Sequence, residues 1–131
     1  MIILDTHIWV WYVQGDERFR EEQRELVLSQ ESNEIGICSI SFWEVAKAVE
    51  LHRLYFSMPI YVWLETELNY PGISLLPLTA RIAVESTQLP GIFHKDPFDQ
   101  LMVATARIYD VLLVTADAPI LNYRQIKLLP Q

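Results

Sequence analysis

The chain reads as an α/β protein, a three-layer α/β/α sandwich with a central, mainly parallel sheet of four to five strands. Short, wholly apolar runs recur along it, each run breaks off in a polar turn, and stretches with apolar residues at helical spacing lie between them. A strand that is apolar on both faces needs a cover on both, which two helical layers supply. Its 131 residues fit one domain, 1–131, with a sizeable core.

Met1-Ile2-Ile3-Leu4 is the first buried strand and ends at Asp5-Thr6-His7. Ile8, Trp9, Trp11, Tyr12 and Val13 then predict a short helix that stops near Gly15. Residues 16–30 predict an amphipathic surface helix with Phe19, Leu26 and Val27 on its inner side. A second strand is expected at 34–38. Ser41-Phe42-Trp43-Glu44 has capping-box spacing, which starts a helix through Leu51 and gives Glu44 a structural task. Residues 59–68 predict another helix, and its Tyr61 and Trp63 suit either a dimer face or core. A third strand at 73–76 and a helix at 79–88 follow, broken by Leu89-Pro90-Gly91.

The stretch His94-Lys95-Asp96-Pro97-Phe98-Asp99 is a helix start: Asp96 at the N-cap, Pro97 at the first position, Asp99 in the first turn. The partial positive charge there favours ionised carboxylates. The helix runs apolar to about Tyr109-Asp110, and 111–114 is the fourth strand, leaving through Thr115-Ala116-Asp117. Residues 126–129 would add a short last strand.

Composition narrows the function classes. Apolar residues make up 51% of the chain, with four tryptophans, so it folds rather than remaining disordered. The lone Cys38 lies in an apolar run and reads as buried filler in a reducing compartment. Neither a leader nor a run of membrane-spanning length is evident, so a cytoplasmic protein without membrane contact is expected. The net charge of −7, from 17 acids and 10 bases, disfavours a free-standing nucleic-acid binder. Acids that held a divalent cation would be offset locally, however, so net charge alone does not decide.

In a parallel sheet the carboxyl ends of the strands share one edge, where ligands bind. Asp5 and Asp117 follow strands directly, and Glu44 and Asp99 begin helices expected to leave the same edge. Each alone serves as an ordinary cap, but four carboxylates crowding one crevice raise one another's proton affinity and call for a cation. Oxygen ligands select Mg2+ or Mn2+. Zinc is not expected, because His7, His52, His94 and the single cysteine lack ligand spacing.

These segments, with Trp11, Leu75-Leu76-Pro77-Leu78, Leu89-Pro90 and Val114-Thr115-Ala116-Asp117, together resemble the PIN-domain family. More narrowly, they resemble the VapC-type ribonuclease toxins of type II toxin–antitoxin pairs. The resemblance implies a metal-dependent endoribonuclease in which Asp5, Glu44, Asp99 and Asp117 bind Mg2+ or Mn2+ and position water, with Asp96 accessory. Either Asp96 or Asp99 supplies the third ligand. Thr6, Ser41 and Thr115 correspond to small hydroxyl neighbours of the ligands, and Lys47, His94, Lys95 and Arg124 are left to contact phosphate. Lys47 suits a crevice or a solvated helix face equally.

The family further implies an RNA substrate, a homodimer, and an antitoxin whose basic segment enters the acidic crevice. The scarcity of bases keeps open a catalytically degenerate PIN-like interaction module. A phosphoacceptor domain fits less well, since Ile3-Leu4 precede a single Asp5 where that fold wants adjacent acids.

Overall fold

The computed structural model describes residues 1–29 and 34–128. Four parallel strands, β1 (Ile2–Leu4), β2 (Ile35–Cys38), β3 (Ile73–Leu76) and β4 (Leu112–Val114), form one sheet in the order β3-β2-β1-β4. β1 pairs with β4 from Ile2↔Leu112 to Leu4↔Val114, and with β2 through Ile2↔Ile35. A single parallel bridge, Leu113↔Leu128, stands where a fifth strand was expected, and Leu129 lies outside the described residues.

Among the described residues, seven helices cover the sheet: α1 (Thr6–Gln14), α2 (Glu21–Leu28), α3 (Ile40–Glu50), α4 (Ile60–Leu68), α5 (Ala80–Ser86), α6 (Pro97–Tyr109) and α7 (Ala118–Leu121). The strand pleat sorts them into two layers. Ile2, Leu4, Ile37 and Val114 face a core built with Ile8, Trp9, Val27, Val45 and Trp63, from α1 to α4. Ile3, Cys38, Leu76 and Leu113 face the opposite core, built with Met102, Val103, Ala106 and Ile120. This is the α/β/α sandwich the apolar runs predicted. Among the described residues, no helix is long and apolar enough to cross a membrane.

The elements differ from the sequence reading in a few places, each for a physical reason. α1 closes at Gly15, whose φ of 65° lies in the left-handed region and lets its N–H reach Trp11 O. The helix expected over 16–30 is shorter, because Asp16 pairs with Arg18 at 2.8 Å in a turn before Glu21. Leu26 points outward while Phe19 and Val27 are buried, and Gln30 lies outside the described residues.

The capping box does not form. α3 starts at Ile40 after Ser39, no side chain caps it, and Ser41 is fully buried. Glu44 therefore sits one turn into α3 and is released from the capping task. On α4 the two aromatics part: Tyr61 is 69% exposed and Trp63 is 4% exposed. Trp63 packs on Trp9 with centroids 5.0 Å apart and on Phe56 at 4.4 Å, which makes it core.

The buried Cys38 thiol lies 3.5 Å from Met102 Sδ, and burial pushes its pKa up to about 12. It is an inert core residue.

Gly36 shows how tightly β2 is held. A Cβ there would stand 2.7 Å from Leu76 Cδ1 and 3.3 Å from Ile3 Cγ1. We expect Gly36→Val to destabilise the fold by about 1–3 kcal/mol, the usual range for overpacking. Urea denaturation would measure it, and an unchanged midpoint would contradict the packing described.

Candidate functional site

Strand order sets where a crevice opens. From β1 the chain works outward through β2 to β3, then returns to lay β4 on the other flank of β1. The connections leaving β1 and β4 at their carboxyl ends are at the switch point of the sheet, the preferred ligand position in α/β folds.

Asp5 follows β1 there, 7% exposed, as the N-cap of α1. Its carboxylate accepts the Thr6 N–H at 2.7 Å and the Thr115 hydroxyl at 2.7 Å. Thr115 Oγ1 in turn accepts the Asp117 N–H at 3.0 Å, so one threonine ties the β1 exit to the β4 exit. Burial raises the proton affinity of Asp5, and the two donated bonds work against it.

Glu44 joins from α3. The Thr6 hydroxyl donates to Glu44 Oε1 at 2.8 Å and lies 2.8 Å from Ser41 Oγ. Since Thr6 spends its one proton on the carboxylate, Ser41 must be the donor in the second bond. The buried hydroxyls thus form a chain that orients Glu44. Burial raises its pKa, the Thr6 bond opposes this, and Asp5 and Asp96 add repulsion.

α6 begins as its sequence predicts. Asp96 caps it by accepting from Phe98 N at 2.9 Å and Asp99 N at 3.3 Å, with Pro97 in the first turn. Asp99, in that turn, behaves otherwise. Burial first, then the charges of Asp96, Asp117 and Asp5, push its pKa up to about 8. The helix terminus was expected to favour an ionised carboxylate here, but at Asp99 its partial charge is outweighed by desolvation and three neighbouring acids.

The five acids singled out in the sequence therefore act on one another, although two strand exits and two helices bring them from distant positions. Asp96 has one oxygen occupied in capping, whereas Asp99 turns toward Asp117 and His94. His94 places Nε2 2.9 Å from Asp99 Oδ2 without the alignment of a hydrogen bond, and the Asp99 and Asp117 carboxyls lie close enough to share a proton. Ligand atoms of His94, Asp99 and Asp117 all lie within 4.8 Å of one another.

The histidines lack metal-ligand spacing, and His94, which opens the stretch carrying Asp96 and Asp99, was expected to contact phosphate rather than to join this group. Only folding of the 89–96 segment puts His94 there, its backbone carbonyl accepting from Gln100 Nε2 at 3.1 Å.

The expected cations distribute unevenly. Lys47 pairs with Glu50 at 2.6 Å and lines a cavity of about 330 Å3 that also reaches Thr6 and Glu44. Lys95 is exposed beside the Asp96 cap. Arg124 shares a separate cleft with Arg107, Asp110 and Lys127 beside the start of β4, the end opposite the acids. Trp43 and Phe98, which also line the cavity next to Glu44, were not singled out by the sequence; their nearness to Glu44 and Asp99 in the chain was the available signal.

An all-parallel sandwich with acids crowded at its switch point defines a class, and the comparison with known families agrees: residues 2–124 match the PIN domain, and the chain belongs to that family. It is 26% identical over 123 residues to Ribonuclease VapC22 of Mycobacterium tuberculosis (strain ATCC 25618 / H37Rv), covering 94% of this chain and 92% of that one. The fold is shared with VapBC2 from Rickettsia felis bound to a DNA fragment from its promoter, at a TM-score of 0.69 and 19% identity over 98% and 97% of the two chains. A toxin–antitoxin complex from Klebsiella pneumoniae has a TM-score of 0.68 and 17% identity over 99% and 97%.

The raised pKa of Asp99 makes stability depend on pH. Its folded pKa of about 8 lies above the ordinary 3.8, so between these values the folded state holds the extra proton. That contribution is present at low pH and lost as pH rises toward 8. In chelator, we expect the melting temperature to fall between about pH 5 and 8, and Asp99→Asn to flatten the decline. At pH 8 this variant should exceed the parent by at least about 1 kcal/mol, the worth of a single pK unit. Parallel profiles for the two proteins would refute this.

Proposed function

We propose that this chain is a Mg2+- or Mn2+-dependent endoribonuclease, the toxin of a type II toxin–antitoxin pair. The observation that carries the reading is a deficit of positive charge at close quarters: ligand atoms of His94, Asp99 and Asp117 lie within 4.8 Å of one another, and the neighbouring charges of Asp96, Asp117 and Asp5 add to burial in raising the proton affinity of Asp99. A hard divalent ion suits that donor set. Asp5, Glu44, Asp99 and Asp117 would hold it, with Asp99 rather than Asp96 as the third ligand, because Asp96 is engaged in capping α6. Bound there, such an ion supplies a water of lowered pKa and offsets charge on a phosphodiester.

The chain's own groups do the rest. Thr115 fixes the Asp5 carboxylate against the β4 exit, and Ser41 and Thr6 fix Glu44, so both side chains are held in place beside the crevice. His94, Lys95 and Lys47 flank the acids and would steer the phosphates of an RNA strand. The similarity to Ribonuclease VapC22 supports RNA as the substrate, and the fold shared with toxin–antitoxin complexes supports an antitoxin partner. A basic segment of that antitoxin would answer the same charge deficit, and a homodimer is the expected working unit.

Purified protein free of its partner should cleave RNA when Mg2+ or Mn2+ is added and stop in chelator. Asp5→Asn and Asp99→Asn should reduce cleavage to background. Thr115→Val should keep the fold and lose about 10- to 100-fold in activity or metal affinity, the usual effect of removing a group that orients a ligand. A folded parent that does not cleave RNA with either metal would instead be the catalytically degenerate interaction module.

A further inference from the structure

We propose that the cavity beside the acids is a nucleobase subsite, in which one unpaired base of a single-stranded RNA stacks on the Trp43 indole. The inference deepens the ribonuclease reading and rests on it for the placement of the phosphate. Three observations carry it.

Trp43 is 52% exposed although it belongs to a helix whose inward residues, Ser41 and Val45, are buried. Its ring is held nonetheless: it stacks on Phe98 with centroids 4.9 Å apart and planes 13° from parallel. A large flat ring kept in place by a second ring and left open to solvent is a preformed stacking platform, which bases of any identity can use.

The cavity is also continuous with the acidic crevice. Its wall includes Thr6 and Glu44, the pair joined by the 2.8 Å hydrogen bond, so a base on Trp43 belongs to a nucleotide next to the phosphate at the acids. Its volume of about 330 Å3 is within the range of small-ligand pockets.

Charge favours a nucleic acid strand over the basic segment of a protein. Lys47 Nζ stands 5.8 Å from the Trp43 ring centre, and Arg18 lies over Trp11 at 4.7 Å on the facing helix. Arg53 completes the cationic lining and makes no ion pair among the described residues. Lys47 and Arg18 already have carboxylate neighbours, Glu50 and Asp16, so they guide a backbone rather than grip it. A duplex keeps its bases stacked internally and presents no free face, which selects a single strand.

The test measures binding and cleavage separately. A fluorescein-labelled single-stranded RNA of mixed sequence is titrated in chelator, beside matched strands in which each residue in turn lacks its base. Stacking of one base corresponds to about a 10- to 100-fold change in affinity. We expect Trp43→Ala to weaken binding of the intact strand by that factor and Trp43→Phe to retain most of it.

One base-free position should bind the parent as weakly as the intact strand binds Trp43→Ala, and lose nothing further in the variant. In Mg2+, KM should rise by a similar factor and kcat change by less than about threefold, a small part of the stacking effect. Equal affinity of parent and Trp43→Ala would overturn the proposal. So would losses that do not depend on any base, or an arginine-rich peptide that displaces the RNA in a Trp43-dependent way. A parent that fails to cleave but binds with this base dependence sinks the nuclease reading while sustaining the subsite.

Discussion

Like charge held at close quarters is the constraint around which this molecule is arranged. Asp5, Glu44, Asp99 and Asp117 come from four separate places in the chain, and each raises the cost of ionising another. Such a cluster weakens a fold unless something holds the carboxylates apart from one another and in place. Here the holding is done by three hydroxyls. Thr115 binds Asp5, Thr6 binds Glu44, and Ser41 backs Thr6, so each of these two carboxylates has a donor before any ligand arrives. Asp99 and Asp117 have less support, and it is there that the charge deficit concentrates.

The sheet makes this arrangement rigid. β1 is inside the sheet, paired on both sides, and its residues are buried on both faces. A carboxylate placed directly after such a strand inherits its immobility. Asp5 N also donates to Val114 O at 2.9 Å, so the last turn of the β1–β4 ladder ends at the acid itself. Helices α3 and α6 add Glu44, one turn in, and Asp99, in the first turn, at the same end. Aromatic packing of Trp9, Trp63 and Phe56 anchors the layer that carries α3.

The two sides of the crevice have different chemistry. One is acidic, poorly supplied with donors, and suited to a cation or a basic segment. The other is aromatic and moderately cationic, lined by Trp43, Trp11, Lys47 and Arg53, and suited to a base and its backbone. A net charge of −7 is compatible with a cationic wall because the relevant quantity is local: cations flank the crevice, while several of the acids lie on other helices such as α2.

Much of this was legible from residue order alone, for local reasons. Apolar runs bounded by polar turns specify buried parallel strands, and Asp96-Pro97 specifies a helix start whatever surrounds it. The acids were legible because strand exits in a parallel sheet share an edge. Tertiary structure alone decided the rest. Ser41-Phe42-Trp43-Glu44 has the spacing of a capping box, yet burial of Ser41 against Thr6 moves the helix start to Ile40 and frees Glu44 for the crevice. His94 has no metal-ligand spacing, and enters the cluster only because the fold sets its ring beside Asp99 and Asp117. Trp63 and Tyr61 look alike in sequence and part by which face of α4 meets the core. Local sequence determines hydrogen-bonding and burial preferences within a turn or two; which distant side chains meet is settled by packing, and the site is made of such meetings.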